Sequence, residues 1–201
     1  MVTSNDHQKE LRIGEVVETS SLEFTAQCYE LYTAPPLGAL VRCNQGDPVY
    51  GVISEISTRS MDLSRRPIAR GAEESSEDDV YLNNPQLTRL LNTEFKVILV
   101  GHRANGQLIR FLGPIPPKVH AFVYDCSGEE IREFCDSLEF IQILLTSSVP
   151  SPDDVTASFI RQSTSYFTNP KDFLIESGRE LASILSQDTR RLNGLLKRLL
   201  R

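Results

Sequence analysis

The apolar residues of this chain change their period once, and that change constrains the fold more than any motif. From Leu11 to about Phe111 they come in short runs with strand character, each bounded by turn residues. "RIGEVVET" (Arg12–Thr19), "EFTAQCYEL" (Glu23–Leu31), "LGALVRC" (Leu37–Cys43) and "VYGVISEIST" (Val49–Thr58) form one series. "EFKVILVGHR" (Glu94–Arg103) and "QLIRFLG" (Gln107–Gly113) form a second, joined through Asn105-Gly106, a strong hairpin signal. Six short strands at this spacing predict a small antiparallel β-barrel.

Residues 60–91 interrupt the series. "RGAEESSEDDV" holds five acidic residues between Glu73 and Asp79 and reads as a solvated loop. Its expected counterweight is the basic cluster Arg59, Arg65, Arg66 and Arg70. "NNPQLTRLLN" then predicts a short helix with Asn84 as N-cap and Pro85 at the first helical position.

From Ser127 the period is helical. Ser127 and Glu130 fit a capping box, followed by Ile131, Phe134, Leu138, Ile141 and Leu145. Ser151-Pro152-Asp153-Asp154 and Asn169-Pro170 open two further helices, and Asp188 opens a last one. The expected organisation is therefore a flexible terminus over residues 1–10, a β domain over 11–125, and a C-terminal helical region over 126–201. Between the halves lies "FLGPIPPKVHAFV", where Gly113, Pro114, Pro116 and Pro117 predict a rigid hinge at the exit of the barrel. "KVHAFVY" (Lys118–Tyr124) beyond it is extended enough to return to the sheet.

Composition narrows the function classes. With 21 Lys and Arg against 27 Asp and Glu, the net charge of −6 opposes nucleic-acid binding by bulk charge. No run approaches transmembrane length, and the polar first ten residues carry no apolar signal core, so the expected location is cytoplasmic. Cys28, Cys43, Cys126 and Cys135 form no C-x-x-C, and His7, His102 and His120 supply no matching ligand spacing. Buried thiols are expected, with no metal and no cofactor. No phosphate-binding loop, dinucleotide fingerprint or nucleophile elbow occurs, and nothing pairs Asp125 and Cys126 with a base. No catalytic residue is assigned.

The last segment, "DTRRLNGLLKRLLR", is the candidate partner interface. Leu192, Leu195, Leu196, Leu199 and Leu200 make one helical stripe, flanked by Arg190, Arg191, Lys197, Arg198 and Arg201. Such a helix can pack on its own domain, dock on a partner, or lie at a membrane surface. The missing Trp and Phe count against the membrane, and five cations beside the stripe favour docking.

Ile13-Gly14-Glu15-Val16, Gly46-Asp47-Pro48-Val49-Tyr50-Gly51-Val52, "EFKVILVGH" and the proline-rich "LGPIPPKVHAFV" together resemble the HAS-barrel. That small barrel is shared by HerA-type DNA-translocating ATPases and the catalytic subunits of rotary ATP synthases. The resemblance covers roughly residues 10 to 125, and the motor that follows the barrel in the translocating ATPases is replaced here by fewer than eighty residues of helix. It implies a stand-alone barrel acting as a collar against neighbouring barrels or partners, without ATP hydrolysis. The expected function is a non-enzymatic adaptor working with a separately encoded HerA-like ATPase or another ring assembly, with self-association compatible with that role. The alternative is a nucleic-acid-binding barrel, which requires aromatics interleaved with cations on one face.

Overall fold

Strands β1 (Arg12–Thr19), β2 (Glu23–Cys28), β3 (Leu40–Cys43), β4 (Val49–Ser60), β5 (Leu91–Ala104), β6 (Gln107–Ile109) and β7 (Phe122–Asp125) form one antiparallel sheet. This computed structural model describes residues 12–200 apart from 45, 63 and 65, so the N-terminal ten residues, His7, Arg65 and Arg201 lie outside the described residues. The strand order is β2-β1-β7-β3-β4-β5-β6, and β2 also pairs with β5 along Glu23–Gln27, which closes the sheet into a ring with β6 outside it. Bulges between Val16 and Glu18, Tyr50 and Gly51, and Ile53 and Glu55 add the local twist that closure needs.

Two cores follow from the two faces of this sheet. Inside the ring, Val16, Phe24, Ala26, Val41, Cys43, Ile53, Phe95, Val97, Leu99 and Val123 are buried together. Outside it, Leu40, Tyr50, Val52, Ile98 and Val100 present a second apolar face to the helices. These are α3 (Gly128–Phe134), α4 (Ile141–Thr146), α5 (Pro152–Thr164), α6 (Pro170–Ile184) and α7 (Thr189–Leu199). A chain of rings carries the contact from strand to helix: Tyr50–Phe134 tilted at 5.2 Å, then Phe134–Phe140 at 4.8 Å and Phe140–Phe159 at 5.3 Å, both edge-on.

The capping box at Ser127 forms as expected, with Glu130 N donating to Ser127 Oγ and Ser127 N to the Glu130 carboxylate. The apolar series beyond it is not one helix: it breaks at Cys135–Phe140. On a continuous helix Phe134 and Phe140 would point to well-separated faces; the break turns both into the same core.

The proline segment is a correction. Gly113, Pro114, Pro116 and Pro117 do not form the exit of the sheet, because β7 follows them and pairs with both β1 and β3. The segment crosses one open end of the ring, from the edge at β6 to the gap between β1 and β3, and the true exit is at Cys126. Stiffness suits the crossing: Leu112 packs down on the interior core while Pro117 is buried. The opposite end is closed by the loop before β3 through Ala34 and Ala39.

The insertion between β4 and β5 also differs from expectation. The two strands run past the ring as a two-stranded ribbon, pairing out to Ser60 and Leu91. The acidic run enters helix α1 (Glu77–Asn83), where Ser76 Oγ accepts from Asp79 N and three acids occupy the first turn. Asn84 is its C-cap, and the short helix α2 (Leu87–Leu90) begins after Gln86 rather than at Pro85.

Candidate functional site

The leucine stripe of α7 is core, which corrects its reading as a docking face. Leu195 is fully buried and Leu199 nearly so, while Leu192 and Leu196 pack against the same cluster from its margin. Two of the five cations beside the stripe, Arg191 and Arg198, are paired within the helical region. Arg191 donates to Asp153 at 2.8 Å and to the Leu145 carbonyl at 2.8 Å, and Arg198 donates to Asp154 at 2.7 Å. Those two acids belong to the first turn of α5, where the helix dipole favours them, so each guanidinium meets a carboxylate at the margin of the core, Arg191 partly buried and Arg198 still in water. Arg190 and Lys197 remain exposed, as does Leu200.

The histidines serve the ring. His102 is buried, with Nδ1 3.2 Å from the Phe111 carbonyl and Gly113 packed against its ring. His120 adopts a positive φ of 70°, donates its backbone N–H to the Val16 carbonyl and contacts Glu15 through its ring. That contact holds the Glu15 carboxyl below its usual range. Both histidines pin the proline segment to the end of the ring.

Among the described residues, Arg59 and Arg70 find partners other than the acidic run. Arg59 pairs with Glu94 at 3.4 Å and Arg70 donates to Asn84 at 3.3 Å. All four cysteines are free and buried, and burial pushes the Cys43 and Cys135 thiols up to about 12 and the Cys126 thiol well above its ordinary value. The native protein is therefore expected to leave these three thiols unlabelled by a thiol-specific reagent at pH 8. Stability should hold below the unfolded thiol range near pH 9 and decline as pH rises toward 12, since only the unfolded chain releases those protons. Rapid labelling in the absence of denaturant would contradict the burial. Among the described residues, no cluster of His, Cys, Asp and Glu could hold a metal ion, and no helix is long and apolar enough to cross a membrane.

The surface without a core to serve is the insertion. Neither α1 nor α2 has a buried residue, unlike every helix after β7. Yet Met61, Ile68, Leu82 and Leu90 are all more than half exposed. A groove of about 440 Å³ runs between the ribbon and these helices, lined by Tyr32, Pro67, Ile68, Val80, Tyr81 and Leu87 among others. Tyr32 and Tyr81 meet edge-on and share a hydroxyl–hydroxyl hydrogen bond, and Tyr32 N donates to Thr93 Oγ1 at 2.9 Å. The sequence marked this region as a loop and a cap, and only its apolar residues among the charges signalled a surface.

A cluster of rings and guanidinium groups lies on the outer side of β1, β7 and β3, exposed at Arg12 and buried at Arg42. The Arg12 guanidinium stands 4.1 Å from the centre of the Phe122 ring, and that of Arg42 stands 5.2 Å from that of Tyr124. Arg42 is also paired with Glu130 at 2.7 Å, and Tyr29 donates to Glu15 at 3.2 Å. Compared with models of known protein families and with curated proteins, the chain matches none.

Proposed function

We propose that this chain is a non-enzymatic interaction protein: a small antiparallel barrel of the HAS type, acting as an adaptor for a separately encoded HerA-like ATPase or another ring assembly. The observation that carries the reading is the insertion, an appendage that adds nothing to either core and holds apolar side chains in water. Exposed apolar area of this kind is stabilised by a partner rather than by the chain itself. Its rim is acidic at Glu73, Glu74, Glu77, Asp78 and Asp79, which suits a partner segment combining apolar and basic residues.

The alternative, nucleic-acid binding, gains support from the exposed Arg12–Phe122 pair, whereas Arg42 beside Tyr124 is buried and offers no accessible cation. It ranks second because Glu130 occupies Arg42, and Glu15 and Glu18 stand on the neighbouring strand.

The test is direct mixing with the HerA-like ATPase of the same genome, followed by calorimetry. Wild-type chain should bind, and Ile68→Ser with Leu82→Ser should weaken binding at least about tenfold. Because both side chains are exposed, the melting temperature should move by no more than about 2 °C. Absence of binding by the wild type would overturn the ATPase as partner, and undiminished binding by the variant would remove the insertion as the interface.

A further inference from the structure

We propose that two copies of this chain associate through the free edge of β4, forming an intermolecular antiparallel pair centred on Ser57. The inference needs no ATPase and is independent of the adaptor reading. β3 pairs with β4 only over Val49–Val52, and the backbone of Ile53 is taken by Gly38 and Ala39. Beyond that point β4 continues to Ser60 with β5 on one side alone.

Alternation of the ladder says which groups are left over. Met61 N donates to Leu90 O, and Leu99 N donates to Leu22 O on the opposite side of β5. Glu55, Ser57 and Arg59 therefore bond to β5 through Lys96, Glu94 and Asn92, and the N–H and C=O groups of Ile56, Thr58 and Ser60 point outward. Among the described residues, no backbone hydrogen bond reaches these groups from outside. Ile56, Thr58 and Arg59 are exposed.

The second copy is the occupant because the edge is complementary to itself. In a two-fold pair centred on Ser57, Ile56 of each copy exchanges backbone hydrogen bonds with Thr58 of the other, roughly four in all. The same register places Glu55 opposite Arg59 at both ends, in the closely spaced pairs where side chains approach most. Edges protected against pairing carry charges that repel their own image; these attract it. Both side chains are about half exposed and keep their partners Lys96 and Glu94 on β5, so the pairing extends an existing row of alternating charge.

The test is sedimentation of the purified full chain across a concentration series at low salt. The expected mass rises from 22.6 kDa toward twice that value, and added salt lowers it. Glu55→Arg and Arg59→Glu, each alone, should weaken the dimer on the order of tenfold or more, since each turns two attractions into two repulsions. An equimolar mixture of the two variants should recover it, because every facing pair is again of opposite sign. Thr58→Pro, which removes an outward N–H and leaves the β5 ladder intact, should give monomer. If that variant does not fold, the charge variants decide, their side chains being on the surface. A monomer at all concentrations overturns the proposal. So does a dimer that survives both charge reversals, or a mixture no tighter than its components.

Discussion

Replacing Leu195 with alanine is expected to destabilise the protein by about 2–5 kcal/mol. Leu195 is fully enclosed between α7 and the helical core, so truncation leaves a cavity that the surrounding helices cannot collapse into without moving Arg191 and Arg198 off their carboxylates. For a chain of this length the melting temperature should fall on the order of 5–15 °C. Leu200→Ala is the control: that side chain is 82% exposed, and the change should stay within about 0.5 kcal/mol. The comparison separates the two roles a leucine stripe can have. A docking helix would tolerate Leu195→Ala in isolation and lose its partner; a core helix loses stability with no partner present. Equal melting of Leu195→Ala and wild type would return α7 to the list of interaction surfaces.

Where the sequence was readable, the information was local. β1 occupies the residues of its apolar run, and the capping box at Ser127 forms because all its parts lie within four residues. Ser76 with Asp79 was a local signal of the same kind, a cap three residues ahead of an acid, but the density of charge around it suggested a loop. The errors that matter concern partners distant in sequence. β7 has only four residues between a proline segment and a helix cap, and nothing in them says that β1 and β3 leave a gap for it. The prolines announced a stiff crossing, and the extended run after them a return to the sheet, but not that the return fills the gap between β1 and β3. The α7 stripe announced a buried face, but not that Asp153 and Asp154 wait 38 and 44 residues earlier to receive its arginines. The candidate surface is harder still, because an exposed leucine on α1 has the same local pattern as one awaiting a core. Only the absence of buried residues along α1 and α2 distinguishes the two.

Gly38→Ala should destabilise this protein twice over, through backbone strain and through a clash with α5. Gly38 lies just before β3 with φ of +86°, a conformation that costs alanine about 1 kcal/mol or more. Its N–H donates to the Ile53 carbonyl at 2.8 Å, which fixes the loop to β4. On the other side a β-carbon would stand 2.5 Å from the backbone nitrogen of Phe159 and 2.8 Å from the carbonyl carbon of Ser158. Neither atom belongs to a flexible side chain, so α5 itself must move, and with it Phe159 at the end of the ring-to-helix aromatic chain. Overpacking of this kind adds about 1–3 kcal/mol to the backbone strain. Gly46→Ala isolates the two terms: its φ is +90°, but nothing lies within 4 Å of the added carbon. Denaturant titration should therefore place Gly46→Ala about 1 kcal/mol below wild type and Gly38→Ala at least twice as far below. Hydrogen exchange should show the excess as lost protection in α5, while the interior strands of the ring keep theirs. Equal destabilisation by the two substitutions would mean that the loop and α5 are not in contact, and that the helices are joined to the ring through α3 and its aromatic rings alone.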